Sequence, residues 1–124
     1  MPAVRSYRDL KVWQHAMDLT VVVYELTRSF PRDEQYGLTS QVRRSVVSVA
    51  ANIAEGYGRS TKPAYLNFLR IGQGSLKETE THLILASRLS ICDEAVVTEL
   101  LSQTDELGRM LRGLIVSLEA HTSH

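Results

Sequence analysis

Apolar side chains recur every three or four residues through four stretches of the chain, and short polar or glycine- and proline-marked breaks separate them. The period predicts helices over about 10–29, 37–58, 62–89 and 93–119. No segment alternates with a period of two for long enough to make a strand. Three short connections between long helices favour an all-α, antiparallel up-down-up-down four-helix bundle, with residues 1–124 as a single domain.

The second stretch carries the most distinctive pattern. Turning 100° per residue, Leu38, Val42, Val46, Val49, Ile53 and Tyr57 form an apolar stripe, and Val47, Ala50, Ala51 and Ala54 widen it past a half-circle. What remains is a polar seam of Gln41, Arg44, Ser45, Ser48, Asn52, Glu55 and Arg59. The first helix is similarly broad: Trp13, Ala16, Met17, Thr20, Val23, Tyr24 and Thr27 line one side, and Val12, Leu19, Val22 and Leu26 extend it. Helices apolar on most sides have more than one set of neighbours, so self-assembly is expected.

Local signals set the boundaries. Asp9 is placed as the N-cap of the first helix, and Pro31 ends it. Gly56 and Gly58 suit a C-terminal cap for the second. Ser60 and Thr61 before Pro63 start the third, and Asp93 caps the fourth. Gly72 and Gly74 each cost about 1 kcal/mol of helix propensity relative to alanine, which predicts close helix contact at both. Residues 121–124 are expected to fray.

Composition narrows the function classes. Fourteen basic and fourteen acidic residues cancel, so the chain lacks the global basic field of a nonspecific nucleic-acid binder. The balance is uneven: residues 1–62 hold nine cations and six anions, residues 63–124 five and eight. Eleven of the cations are arginine, suited to bidentate pairing and interfaces. The single Cys92 has no disulfide partner within the chain, and no apolar run is long enough for a membrane span or a secretory leader, so a cytoplasmic protein is expected.

Tests for chemistry mostly exclude it. A di-iron bundle needs Glu-x-x-His pairs, and the chain has none. Gly56-Tyr57-Gly58 and Gly72-Gln73-Gly74 lack the third glycine and the preceding strand of a dinucleotide fingerprint. Glu78 and His82 share a helix face and can form a structural pair or a weak acid–base pair. No cofactor, metal or small-molecule substrate is expected. Arg44, Ser48, Asn52, Glu55 and Arg59 form the candidate surface for nucleic acid or a partner. Gln41 and Arg43 are assigned to an interface, and Arg43, which points into the aliphatic side, to a buried pair.

The segments YRDLKVWQHA, FPRDEQYGLTSQVRRS, NIAEGYGR and FLRIGQGSLKE, in this order and spacing, resemble the four-helix-bundle proteins encoded by intervening sequences in bacterial 23S ribosomal RNA genes. The resemblance runs from Tyr7 to about Leu89, and the last helix shares only the pattern. It implies an antiparallel bundle assembled into a ring-like homopentamer. It also implies a relative, the accessory variability protein of diversity-generating retroelements, a pentameric bundle that binds nucleic acid and a reverse transcriptase. The motif carries over to Gln41, Arg43, Arg44, Ser48, Asn52, Glu55, Gly56, Arg59, Gly74, Ser75 and Glu78, and departs at Gly72 and Gln73, where alanine and a basic residue usually stand. Two readings follow: a non-enzymatic oligomeric scaffold associated with RNA or a ribonucleoprotein, and a purely structural or protein-interaction ring without nucleic acid.

Overall fold

The computed structural model describes residues 3–120; the expectation of fraying at 121–124 falls outside them. The chain is all-α. Four helices, α1 Lys11–Thr27, α2 Leu38–Tyr57, α3 Lys62–Arg88 and α4 Glu94–Ala120, are joined with two 3-10 turns, Tyr7–Asp9 and Arg32–Glu34, and the described residues contain no strand. α1 packs against α2 and α4, and α3 packs against the same two, so the four helices enclose one core. Val23, Val42, Val46, Val49, Ile53, Leu69, Leu76, Leu83, Leu107 and Leu111 fill it.

The helix ends follow from local chemistry, with two corrections. Asp9 does not cap α1. It closes the preceding turn, accepting from the Ser6 backbone N–H at 3.2 Å while Ser6 Oγ takes the Arg8 N–H at 3.0 Å, and Leu10 becomes the N-cap without a side-chain bond. The capping box therefore satisfies the turn rather than the helix. At the start of α2 the Glu34 carboxylate fills that role, accepting the Leu38 N–H at 3.0 Å. Thr61 caps α3 through Ala64 N–H at 3.3 Å, and the Asp93 carboxylate accepts from Ala95 N–H at 3.0 Å ahead of α4.

The second correction concerns Gly56, which lies inside α2 and is buried. Gly58 is the C-cap of α2 as expected, in right-handed geometry with its N–H returning to the Ala54 carbonyl at 3.3 Å, and none of the described glycines has positive φ. Gly56 instead admits α3: a Cβ there would lie 2.9 Å from Phe68 Cβ and 3.2 Å from the Tyr65 carbonyl oxygen. Gly72 is also buried, facing Val49 and Asn52. The contact expected at Gly74 is absent, because a Cβ there meets nothing within 4 Å.

Among the described residues, the left-handed position is Ser90, at φ 59°, in the turn from α3 to α4. It lets the Ile91 and Cys92 N–H groups both return to the Ala86 carbonyl, at 2.9 and 3.2 Å. A Cβ in this conformation is unfavourable by roughly 1 kcal/mol, partly offset because glycine gains more freedom when unfolded. Ser90→Gly is therefore expected to stabilise the fold by about 0.5 kcal/mol, read as a raised urea midpoint at unchanged slope.

Candidate functional site

The polar seam of α2 divides between a helix interface and a surface. Ser45 is buried, with its Oγ 2.9 Å from Thr79 Oγ1 on α3; Thr79, fully enclosed, also lies 2.9 Å from the Ser75 carbonyl. Ser48 Oγ and Ser75 Oγ are 2.7 Å apart, and Asn52 Nδ2 donates to the Ser48 carbonyl and hydroxyl at 2.8 and 2.9 Å. Small hydroxyl and amide side chains thus line the face of α2 that meets α3, together with Gly56, and Gly72 on α3 faces them. Ser48 and Asn52, read from the sequence as a nucleic-acid or partner surface, are engaged within the chain. Periodicity marks them as polar, but polarity does not reveal that α3 carries matching Ser75 and Thr79.

The arginines separate in the same way. Arg43 reaches across to α1, donating through Nε to Thr27 Oγ1 at 2.7 Å and through Nη2 to the Tyr24 carbonyl at 3.3 Å, with its guanidinium 4.6 Å from the Tyr24 ring centre. Stacking and bonding of this kind fix an arginine within the fold. Arg59 pairs with Glu55 at 3.0 Å and lies 4.7 Å from the Phe68 ring centre. Arg44 is exposed and has no hydrogen-bond or ion-pair partner among the described residues. It borders a shallow pocket with Tyr24, Tyr36, Ser40 and Arg43. Gln41 is exposed, and its side chain makes no hydrogen bond among the described residues.

The Glu78–His82 pair does not form. Glu78 is exposed, and His82 turns inward, with Nε2 buried and lacking a hydrogen-bond partner among the described residues. Helical spacing brings the two residues to neighbouring positions, but the imidazole has packed instead of reaching for the carboxylate. Burial pushes the Cys92 thiol up; the neighbouring Asp93 charge adds to this, while its backbone N–H works against it. At neutral pH this sulfur is a thiol, a weak nucleophile. Burial, with Tyr57 adding to it, also holds the Tyr65 phenol above its usual value, so it stays protonated. No cluster of three or more metal-ligating side chains occurs among the described residues, and no helix among them is long and apolar enough to cross a membrane.

Two features lie outside the candidate set. One is an apolar flank along α1 and α2, where Met17, Val21 and Tyr24 on α1 and Val47 on α2 are exposed, Val21 to 55% and Val47 to 42%. The contact of Thr20 Oγ1 with the Val46 carbonyl, at 3.4 Å, sets the two helices side by side there. Met17 and Tyr24 belong to the broad face expected for α1, but within one chain they are exposed. The other is a groove of about 620 Å³ between α3 and α4, bordered by Arg70, Lys77, Arg109 and Arg112. Sequence reading passed over these cations because they are distributed over two helices. The i, i+7 spacing of Arg70 and Lys77 and the i, i+3 spacing of Arg109 and Arg112 were the available signal.

These features define an all-α protein of four helices, with a polar interface inside one helix pair and an uncovered apolar flank on another. The chain belongs to the 23S rRNA-intervening sequence protein family, whose model matches residues 8–113. Among solved structures, a protein with unknown function from the S23 ribosomal protein family of Bacteroides thetaiotaomicron VPI-5482 is similar, with a TM-score of 0.75 and 21% identity over 84% of this chain and 97% of that one. That likeness is one of fold. No curated protein matches the chain.

Proposed function

We propose that the protein is a non-enzymatic, cytoplasmic scaffold in which copies of an up-down-up-down bundle associate through the α1–α2 flank into a ring, a homopentamer as the family resemblance implies. The observation that carries this reading is the flank itself: Met17, Val21, Tyr24 and Val47 are exposed on two helices that lie side by side, and apolar surface of this kind marks association sites. The antiparallel order of α2 and α3 is supported by their contacts, since the partners of Ser45, Ser48 and Gly56 are Thr79, Ser75 and Phe68, falling in number as α2 rises. The absence of an enzyme role is supported by the un-ionised Cys92 and by Glu78 and His82, which do not engage each other.

A closed ring requires a heterologous contact, so the flank meets a different surface of the next copy. The expected result is a mass several times 13.9 kDa by size-exclusion chromatography with light scattering. Val21→Glu combined with Val47→Glu buries two charges in that contact and is expected to leave a folded monomer. A wild-type monomer at micromolar concentration overturns the reading. Association with RNA or a ribonucleoprotein needs cations free to meet phosphate, and among Arg43, Arg44 and Arg59 Arg44 alone is unengaged. The internal engagement of Ser48 and Asn52 favours a ring whose α2 seam binds no nucleic acid.

A further inference from the structure

We infer that the groove between α3 and α4 is a docking site for a single-stranded RNA backbone. Residues 63–124 carry five cations against eight anions, yet four of the five cations border this groove and, of the eight anions, Asp105 is the one that lines it. A net-acidic half of the chain has gathered its positive charge in one place. Arg109 and Arg112 are exposed and have no ion-pair or hydrogen-bond partner among the described residues. Arg70 is bonded to Glu119, both about half exposed, whereas Lys77 is bonded to Glu80, a largely buried carboxylate that also accepts from Thr104 Oγ1 at 2.7 Å. The exposed Arg70–Glu119 pair contributes about 0–1 kcal/mol, so phosphate can displace that carboxylate, while Glu80 stays with Lys77.

The shape selects the ligand. Arg70 and Lys77 stand two helical turns apart on α3, roughly 10 Å along the axis, with Arg109 and Arg112 along the facing helix. A compact phosphate site gathers donors on one point, usually at a helix N-terminus; here every bordering residue is within the body of a helix, and the cations form two rows. Two rows fit a strand that passes through the groove with successive phosphates. Between them the floor is Leu76, Gly74 and Gly108: nothing lies within 4 Å of a Cβ at Gly74, so sugars and base edges can approach the helix surface closely. Arginine provides the bidentate contact that phosphate accepts.

One chain builds the whole groove, so RNA binding and self-assembly can fail independently. The test is fluorescence anisotropy of the full chain with a labelled, mixed-sequence 20-nucleotide RNA, titrated at 50–200 mM salt. Three phosphate contacts, from Arg70, Arg109 and Arg112, predict that the logarithm of affinity falls with the logarithm of salt with a slope of about −2, at about −0.7 per contact. Arg109→Ala with Arg112→Ala is expected to lower affinity at least tenfold and reduce the slope by about 1.4. Gly74→Glu, which adds an anion to open space on an exposed helix face, is expected to weaken binding similarly without disturbing the helical circular dichroism. Arg28→Ala with Arg32→Ala, an equal loss of charge elsewhere, is expected to cost less than threefold. Equal losses from the two arginine pairs, unchanged binding by Gly74→Glu, or no wild-type binding at 50 mM salt would each overturn the assignment.

Discussion

Gly56→Leu is expected to destabilise the fold by about 3 kcal/mol, the upper end of what overpacking a tight interface costs. The reason lies in backbone proximity. A Cβ at this position already stands 2.9 Å from Phe68 Cβ and 3.2 Å from the Tyr65 carbonyl oxygen, atoms that cannot rotate aside. To admit a side chain, α2 and α3 must separate, which would weaken the neighbouring Ser48–Ser75 contact. Gly56→Ala gains about 1 kcal/mol of helix propensity and still loses overall, because its one added carbon occupies the obstructed position. Gly113→Ala on α4 is the matched contrast: nothing lies within 4 Å of its Cβ, so the same propensity gain appears as net stabilisation of about 1 kcal/mol. Urea unfolding at one fixed protein concentration, which removes the mass-action effect of assembly, measures all three. Gly56→Leu matching wild type would refute the close approach.

Leu69→Ala is expected to cost about 3 kcal/mol by a different mechanism. Leu69 is fully buried on α3 within the shared core. Truncation removes three carbons from an apolar site and leaves a cavity whose lining loses its dispersion contacts, and the measured range for such changes is about 2–5 kcal/mol. The loss belongs to the single chain, so it should appear equally in wild type and in the Val21→Glu, Val47→Glu background. A cost that appears only in the assembled protein would relocate Leu69 to an interface between copies. Ile71, two residues away and 46% exposed, provides the comparison: Ile71→Ala should change the midpoint far less.

Much of the fold was legible because helix periodicity depends on a short window. The stripe from Val42 to Ile53 and the heptad-like run from Val97 to Ile115 are core positions in the structure. The glycines were harder to read. A sequence shows that Gly56, Gly58, Gly72 and Gly74 lack side chains, but only the neighbour opposite each one decides its purpose: Gly56 admits Phe68, whereas Gly74 faces open space. The seam was legible as polar and illegible as internal, because its fate depends on Ser75 and Thr79, about thirty residues further along the chain. Arg43 reads as an interface or buried-pair arginine, whereas its acceptors, Thr27 and the Tyr24 carbonyl, lie on another helix and carry no charge. The groove cations escaped for the same reason, since no single helix holds more than two of them.

The hydroxyl pairs between α2 and α3 have a consequence for how the two helices find each other. An interface of leucine and alanine tolerates sliding by a turn, about 5.4 Å, because one apolar contact replaces another. Here a slip would break the Ser45–Thr79 and Ser48–Ser75 contacts, leaving the Ser45, Ser48 and Thr79 hydroxyls only their partners within their own helix, and would bring a residue with a Cβ against Phe68 where Gly56 now sits. Each hydrogen bond lost between the helices costs about 0.5–1.5 kcal/mol. The pairs add little to the depth of the native minimum, but they raise the energy of its misaligned neighbours. They act as the teeth of a key, and the chain uses them to choose one alignment among several that burial alone would accept.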